Sequence, residues 1–376
     1  MTNSISNIDP NGLLEYSVVY TDRSLNHMSQ SFQGVMNDIS STLKSVYNAD
    51  SVTVVPGSGT FGMEAVARQF ANNKHCLVIR NGWFSFRWTQ IFDMADLPSS
   101  STVMKAKQIS HDSCSAFAPA VIDEVVARIH EEKPAVVFAP HVETSAGMIL
   151  PSDYIKAVTE AVHAVGGIFV LDCIASGAIW VDMKEHGVDV LISAPQKGWS
   201  GSPCCGLVMM NQTAIDLMET TQSNSFACDL KKWSDIMGAY ENGGHAYHAT
   251  MPTDSLLSFA KVMRETQDYG FEKVHAAQQE LGDKIRALLV NKGIKSVAAE
   301  GFQAPGVVVN YTQDLGLHNG SKFAAQGMQI AAGVPLQCDE PDDFQTFRLG
   351  LFGLDKLYDV DAAVARFEEV LESVLS

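Results

Sequence analysis

The sequence lacks the features of a disulfide framework, a zinc module and a membrane segment. Its seven cysteines are scattered over 376 residues, and no two form a CxxC pair. An odd, dispersed set is typical of reduced, buried thiols in the cytosol. No apolar run is long enough to cross a bilayer. The polar residues 1–12 have neither the basic nor the apolar region of a signal peptide. We therefore expect a cytoplasmic protein with no structural metal and no membrane partner.

Positive charge is also scarce. The chain has 26 Lys and Arg against 43 Asp and Glu, which gives a formal net charge of −17. Non-specific nucleic-acid binding needs a basic surface that displaces counterions from phosphates, and anionic lipid attracts the same kind of surface. The charge balance argues against both partners. A small anion can still be held by local donors.

Apolar residues make up 46% of the chain and charged residues 18%, which is typical of a globular protein. Buried-strand runs alternate with helical periods in the first two thirds of the sequence. Strands are predicted at 51–56, 76–80, 135–140, 168–172, 188–193 and 206–210, and helices at 60–71, 121–132 and 152–165. Such alternation predicts an α/β fold with a mostly parallel sheet covered by helices.

The pattern changes after about residue 253. Helical stretches at 254–265, 271–292, 321–331 and 360–374 then surround strands at 306–311 and 347–352. This predicts a smaller α+β carboxy-terminal domain. We predict an amino-terminal segment (1–24), a large domain (25–265) and a small domain (266–376). Since the boundary lies in helical sequence, we expect a shared interface and not a flexible tether.

The first predicted strand enters a glycine-rich turn, residues 57–62, that reads GSGTFG. Free backbone N–H groups at a helix amino terminus bind anions, and the hydroxyls of Ser58 and Thr60 add donors. A tight strand-to-helix turn would explain the same glycines. The turn alone does not distinguish the two interpretations.

Two further strand ends carry reactive side chains. Ligands of open α/β sheets bind outside the carboxyl ends of the strands. Asp172 ends one strand, where a carboxylate needs a partner such as a protonated ring nitrogen, although it could also cap a helix. Lys197 follows another strand beside Gln196. In a crevice such a lysine attacks carbonyls, whereas on the surface it would be an ordinary cation.

Together these features fit one cofactor. The phosphate of pyridoxal 5'-phosphate needs an anion site, its ring nitrogen needs a carboxylate, and its aldehyde needs an amine. The glycine turn, Asp172 and Lys197 supply these groups in that order along successive strand ends. The combination is far more specific than any of its parts.

With these segments in view, the sequence resembles the class V aminotransferases of the fold-type I pyridoxal-phosphate enzymes, in particular the alanine–glyoxylate and serine–pyruvate branch. The resemblance covers roughly residues 25–355. It rests on GSGTFGMEA (57–65), NGWFSFR (81–87), HVETSAGMILP (141–151), LDCIASGAIWVDM (171–183), SAPQKGW (193–199), YHATMP (247–252) and FRLGLFG (347–353). It implies the fold-type I transferase fold and pyridoxal phosphate as cofactor.

The resemblance implies a role for each matching residue. Lys197 would form the Schiff base and carry the proton, and Asp172 would pair with the ring nitrogen. Thr144 would approach the phenolic oxygen, and Phe84 would stack on the ring, with Trp83 as the alternative. The phosphate would be held by Ser58, Gly59, Thr60 and Gln196.

The resemblance also implies contacts to the substrate and to a second subunit. Arg348 would bind the substrate α-carboxylate, a geometry that suits guanidinium. Tyr247 and Thr250 match residues that reach the phosphate of the neighbouring subunit, which implies a homodimer with shared active sites.

The amino-terminal part departs from the family. Relatives carry a Gly-His-Arg-Ser-x-x-Phe segment where residues 26–32 read NHMSQSF, and this region lines the substrate entrance. His27 is therefore a candidate substrate-binding residue. With Arg23 it could recognise a phosphonate, as in the related aminoethylphosphonate transaminases, or both could be structural.

The expected reaction moves an amino group from a small amino acid, such as alanine or serine, to glyoxylate or pyruvate. One alternative is a 2-aminoethylphosphonate-type transaminase. A second is a lyase or desulfurase of the same fold, for which Cys338 is a candidate, although Phe84 and Gln196 stand where desulfurases carry histidines. A distant alternative is an NADP-dependent oxidoreductase with Arg80 at the end of its second strand.

Overall fold

The structure is a computed structural model that describes residue 9 and residues 12–376. The prediction of a polar, signal-free amino terminus falls largely outside these residues. The helices are α1 Gln30–Tyr47, α2 Gly59–Phe70, α3 Trp83–Ala95, α4 Ile122–Glu132, α5 Ser152–Ala164, α6 Met183–His186, α7 Gln212–Thr220, α8 Leu230–Glu241, α9 Thr253–Tyr269, α10 Phe271–Asn291, α11 Leu315–His318, α12 Ser321–Ala325, α13 Leu354–Leu357 and α14 Val360–Leu375.

The strands are β1 Ser51–Pro56, β2 His75–Arg80, β3 Ser100–Lys105, β4 Lys107–Gln108, β5 Phe117–Ala118, β6 Val136–Pro140, β7 Val142–Glu143, β8 Met148–Ile149, β9 Ile168–Asp172, β10 Val190–Ser193, β11 Cys205–Met210, β12 Val307–Tyr311, β13 Ala331–Ala332 and β14 Thr346–Gly350. Seven of them form the central sheet in the order β1-β11-β10-β9-β6-β2-β3.

Six strands of the central sheet run in one direction, and only β11 opposes its two neighbours. The prediction of a mostly parallel α/β sheet is confirmed. Because parallel strands end at the same edge, the loops after β1, β2, β6, β9 and β10 emerge side by side. These loops carry most of the candidate site residues.

Burial explains why the central strands form. Every residue of β6, β9, β10 and β11 is buried, and their runs of Val, Ile and Leu suit strands covered on both faces. Amphipathic helices supply the cover: α5, for example, buries Ile155, Val158 and Val162 on one face. The resulting hydrophobic cluster draws its residues from Leu25 to Met263.

The last third of the chain builds a second layer. Strands β12, β14 and β13 form an antiparallel sheet, and α10 and α14 contribute to a cluster made of Ala178 and residues between Val274 and Val374. A third cluster joins Phe117 and Val142 to Val297 and Val309. The predicted domain boundary at 265/266 falls inside α9, and the division into domains stays a prediction.

The structure differs from the sequence-based expectation in a few elements. The helix predicted at 321–331 ends at Ala325, since Gly327 takes a left-handed φ of 78°. Helices α1, α3, α7 and α8 were not predicted. None of the described helices combines the length and apolarity that crossing a membrane requires.

A buried carboxylate braces the edge of the sheet opposite the candidate site. Asp189 is fully buried and accepts hydrogen bonds from the Phe169 N–H (2.7 Å) and the Asn211 amide (2.8 Å). His163 Nε2 lies 2.8 Å from the same carboxylate. This hydrogen bond raises the pKa of His163 above its usual value. The pair joins α5 to the starts of β9 and β10.

We expect Asp189→Asn to lower the free energy of unfolding by about 1–3 kcal/mol, because a buried N–H loses its acceptor. A raised histidine pKa stabilises the fold at pH values below about 6.5, and that contribution disappears as pH rises through the folded-state pKa. The loss in the variant should therefore be larger at pH 6 than at pH 9. Urea denaturation at both pH values measures it, and His163→Gln should remove the same pH-dependent part.

Candidate active site

The amino terminus of α2 presents unused donors. Ser58 is the N-cap residue, yet its hydroxyl makes no capping hydrogen bond. The first helical bonds run from Phe61 and Gly62 to the Ser58 carbonyl. The N–H groups of Gly59 and Thr60 consequently have no partner in the described chain. This is the geometry that binds a phosphate at a helix start.

The glycines of this turn also serve packing. Gly57 takes a φ of 127°, which a residue with a side chain rarely adopts. A Cβ on Gly59 would lie 2.7 Å from the Ile174 side chain, and one on Gly206 would lie 2.7 Å from the Gly62 Cα. Both sequence-based interpretations of the turn therefore describe real features: it is tight, and it brings free donors close to the strand ends.

Asp172 ends β9 and is 7% exposed. Its Oδ1 accepts one hydrogen bond, from the Ile174 N–H at 2.9 Å. Burial raises its pKa to about 7, and the negative charge of Glu143 acts in the same direction. One oxygen of this carboxyl is left for another partner, which fits a ring nitrogen better than a helix cap.

Lys197 lies in the turn after β10. Its Nζ makes no hydrogen bond or ion pair within the described residues and lies 5.1 Å from the centre of the Phe352 ring. Burial lowers its pKa, and the positive charge of Arg348 lowers it further. The next residue, Gly198, touches the loop after β9: a Cβ there would be 1.9 Å from the Gly177 carbonyl oxygen.

Phe84 links two guanidinium groups at the mouth of the site. The Cζ of Arg348 lies 5.7 Å from the centre of the Phe84 ring, and the Cζ of Arg87 lies 5.2 Å from it. Trp83, the second candidate for stacking, instead packs on Phe86 at 5.6 Å. The structure thus brings Phe84 and Arg348 together, in electrostatic reach of Lys197.

Thr60, Thr144 and Gln196 complete this group. Thr60 Oγ1 accepts a hydrogen bond from Arg87 at 2.9 Å. Thr144 is buried and its hydroxyl has no partner within residues 12–376. The buried Oε1 of Gln196 is also unpartnered there. A cavity of about 360 Å³ opens beside Gln196 and Lys197.

Three predicted site residues, His27, Tyr247 and Thr250, contact one another and, within the described part of the chain, not the residues around Lys197. His27, which is 5% exposed, packs on Tyr20 at 5.7 Å and on Tyr247 at 5.5 Å, and its Nδ1 has no partner in the described residues. Tyr247 is 56% exposed, and its hydroxyl lies 3.1 Å from Thr250 Oγ1. No described contact joins these residues to Lys197 or Asp172.

Two residues of the site were missed, although they lie in segments singled out by the sequence. Arg87 places a cation beside Thr60, and the fully buried Glu143 accepts hydrogen bonds from the start of α3. A lone glutamate inside the apolar run before Thr144 was a signal, since an ionised carboxylate is seldom buried without several donors.

The residues around Lys197 fit pyridoxal phosphate. The unbonded donors at α2 match its phosphate, the spare oxygen of Asp172 matches its ring nitrogen, and the unpaired Lys197 amine matches its aldehyde. The unpartnered atoms of Thr144, next to Glu143 in the chain, and of Gln196, next to Lys197, offer two further polar groups. The fold and the site together define a fold-type I pyridoxal-phosphate enzyme.

Comparison with solved structures agrees on the fold. The crystal structure of an alanine–glyoxylate aminotransferase from Nostoc sp. aligns with a TM-score of 0.79 at 19% sequence identity, over 94% of this chain and 89% of that one. At this identity the likeness concerns the fold alone.

The class-V aminotransferase family matches residues 12–333, and the chain belongs to this family. It is therefore a pyridoxal-phosphate-dependent aminotransferase. Similar proteins include alanine–glyoxylate aminotransferase 1 of Saccharomyces cerevisiae (26% identical, 71% of either chain) and the 2-aminoethylphosphonate–pyruvate transaminase of Vibrio vulnificus (26%, 85% of this chain and 83% of that one). A protein named soluble hydrogenase, small subunit, from Synechococcus sp. is 25% identical over 92% of this chain and 87% of its own length.

Asp172→Asn tests the buried carboxyl in the protein without cofactor. A carboxyl whose folded-state pKa is about 7 loses its proton unfavourably, so the wild type becomes less stable as pH rises from about 4 to 7. The variant lacks this slope. As pH rises over that interval, the free energy of unfolding of the variant should increase relative to that of the wild type by up to about 4 kcal/mol. Thermal unfolding at a series of pH values measures it, and parallel profiles would contradict the assignment.

Proposed function

We propose that this aminotransferase moves an amino group from a small amino acid, such as alanine or serine, to a small 2-oxo acid, such as glyoxylate or pyruvate. The observation that carries the proposal is the juxtaposition of Lys197, Arg348 and Phe84 beside the buried Asp172. An unpaired amine next to an arginine suits substrates that carry an amino group and a carboxylate on the same carbon.

The site residues divide the work between binding and proton transfer. Pyridoxal phosphate, when bound, supplies an electron-accepting ring. Ser58, Gly59, Thr60 and Gln196 would hold its phosphate, Thr144 its phenolic oxygen, and Phe84 its ring face. Asp172 would keep a proton on the ring nitrogen. Lys197, whose pKa is lowered by burial, would be the attachment point and would carry protons through its neutral amine.

We propose that the working unit is a homodimer with two-fold symmetry. Tyr247 and Thr250 are hydrogen-bonded to each other and exposed, and Phe226 close to them is 75% exposed. In the single chain they have no contact with Lys197. Their place in the family pattern assigns them to the phosphate of the neighbouring subunit. His27, which packs on Tyr247, would then face that subunit's site.

A phosphonate substrate is the second candidate, favoured by the 2-aminoethylphosphonate transaminases among the similar proteins. Arg23 is exposed and His27 packs on Tyr247, and neither has a described contact with Lys197, so in our proposal both would reach a phosphonate in the partner subunit's site. The small amino acid remains our choice, because Arg348 lies beside the lysine of its own chain.

The desulfurase and oxidoreductase hypotheses meet structural objections. Cys338 is 4% exposed, and burial raises its pKa to about 12, so it is a poor thiolate nucleophile for a desulfurase. Arg80 is buried and donates to Thr89 and to the Gln337 carbonyl, so it is not free to bind an NADP phosphate.

We also propose a cytoplasmic location. All seven cysteines are free thiols, six of them buried. The formal net charge is −17. Both features suit a reducing compartment and a protein that stays away from nucleic acid and anionic membranes.

Lys197→Ala tests the attachment point. The wild type should be yellow with pyridoxal phosphate and should retain the cofactor after borohydride reduction. Without reduction, the yellow colour should bleach with one amino donor of a panel that includes alanine, serine and 2-aminoethylphosphonate. The variant should release the cofactor on dialysis even after reduction, since no covalent bond can form. Lys356→Ala, a nearby lysine that donates to the Phe352 carbonyl, is the matched control. A reduced adduct on another lysine would refute the assignment.

Arg348→Ala tests carboxylate recognition. Losing a charge-assisted pair to the substrate should raise KM and lower kcat/KM. The lost binding free energy should be about 2–5 kcal/mol. The loss should appear with alanine and be small with a donor that has no α-carboxylate, such as 2-aminoethylphosphonate. Arg264→Ala, which removes a surface pair with Asp38, should leave the kinetics unchanged. An unchanged kcat/KM in Arg348→Ala would make that arginine structural.

A further inference from the structure

Glu143 is a fully buried carboxylate at the end of β7, one residue before Thr144. Both of its oxygens are saturated with donors. Oε1 accepts from the Phe84 N–H (3.1 Å), the Ser145 N–H (3.1 Å) and the Ser145 hydroxyl (2.7 Å). Oε2 accepts from the Ser85 N–H (2.9 Å) and the Ser85 hydroxyl (2.7 Å). No cation pairs with it among the described residues.

These bonds satisfy the whole first turn of α3. Trp83 donates its N–H to Ser145 Oγ at 2.9 Å, and that hydroxyl donates in turn to Glu143. The next two N–H groups bind Glu143 directly. A helix normally leaves such groups for a cap residue within the same helix. Here Gly82 holds the cap position, where a Cβ would lie 2.0 Å from Ser145 Oγ. The cap of α3 is therefore supplied by a segment about sixty residues further along the chain.

The result connects two sides of the candidate site. Thr144 follows Glu143 in the chain, and Phe84 is bound to its Oε1. We infer that Glu143 is a positioning residue that fixes Phe84 and Thr144 relative to each other, so that the aromatic ring and the hydroxyl meet the cofactor in one geometry. The inference rests on the proposed function of this site, and it adds a role for a residue that touches neither cofactor nor substrate.

The surroundings support positioning over stability alone. The negative charge of Glu143 raises the pKa of Asp172 and opposes the lowering of the Arg348 pKa by burial, so Glu143 lies within electrostatic range of both groups. Two backbone hydrogen bonds also fix the turn from Glu143 to Gly147. The Gly147 N–H donates to the Glu143 carbonyl, and the Gly147 carbonyl accepts from the Ala304 N–H. Glu143 thus shares a turn with Thr144, binds the Phe84 N–H and acts electrostatically on two further residues of the site.

Glu143→Gln is the sharpest test. The substitution keeps size and shape, but in either orientation the new amide presents its NH₂ to a backbone N–H donor. Whichever of the Phe84 and Ser85 amides loses its acceptor should exchange with solvent roughly tenfold to a hundredfold faster in the cofactor-free protein. With pyridoxal phosphate, borohydride trapping at Lys197 should stay complete while the visible circular dichroism weakens. The kcat should fall by roughly tenfold to a hundredfold.

The control is Asp189→Asn, a buried carboxylate at the opposite edge of the sheet. It should lose stability comparably without changing the dichroism or the exchange of Phe84. Unchanged exchange, or dichroism and kcat equal to those of the control, would overturn the inference. If the wild type fails to attach the cofactor at Lys197, the proposed function fails, while the exchange measurement still decides the role of Glu143.

Ser145→Ala keeps the inference testable if Glu143→Gln does not fold. This variant removes the acceptor of the Trp83 N–H and one donor to Glu143, but leaves the carboxylate in place. Exchange should accelerate first at Trp83, with a smaller loss of dichroism. An unchanged exchange rate of the Trp83 N–H would contradict the series of hydrogen bonds from Trp83 through Ser145 to Glu143.

Discussion

The candidate site depends on the contact of two loops, backbone against backbone, at the carboxyl edge of the sheet. A Cβ on Gly198 would lie 1.9 Å from the Gly177 carbonyl oxygen, so the loop after β10 has no room for a side chain at this point. Asp172 lies five residues before Gly177, and Lys197 lies immediately before Gly198. The pairing of β9 with β10 and this close backbone contact together hold the two loops side by side.

The same contact reaches the last third of the chain. The Gln278 side chain of α10 donates to the Pro305 and Leu351 carbonyls and packs against Gly177. Leu351 follows β14, the strand that carries Arg348, so Gln278 links this strand to the loop that contacts Gly198. Trp199, two residues after Lys197, packs on Trp180 with ring centroids 4.8 Å apart, which adds an aromatic contact to the lysine turn.

Much of this arrangement could be predicted from the sequence. Strands β1 and β9 were predicted to the residue, because short runs rich in β-branched and other apolar residues and bounded by turn residues favour strands over helices. Helix α3 was not, since aromatic residues such as Trp83, Phe84 and Phe86 obscure a polar face and its cap comes from Glu143, far away in the chain. The position of His27 beside Tyr247 depends on tertiary packing that no local pattern encodes.

Two carboxylates at one edge of the sheet carry opposite consequences of burial. Glu143 accepts hydrogen bonds from five donors, whereas Asp172 accepts from only one. Burial raises the pKa of Asp172 to about 7. Because Oδ1 accepts from the Ile174 N–H, Oδ2 is the oxygen of Asp172 that is left for a partner. If Asp172 pairs with a ring nitrogen as proposed, that nitrogen and Oδ2 would share one proton between them, and the raised pKa of the carboxyl would let the protein bring that proton itself.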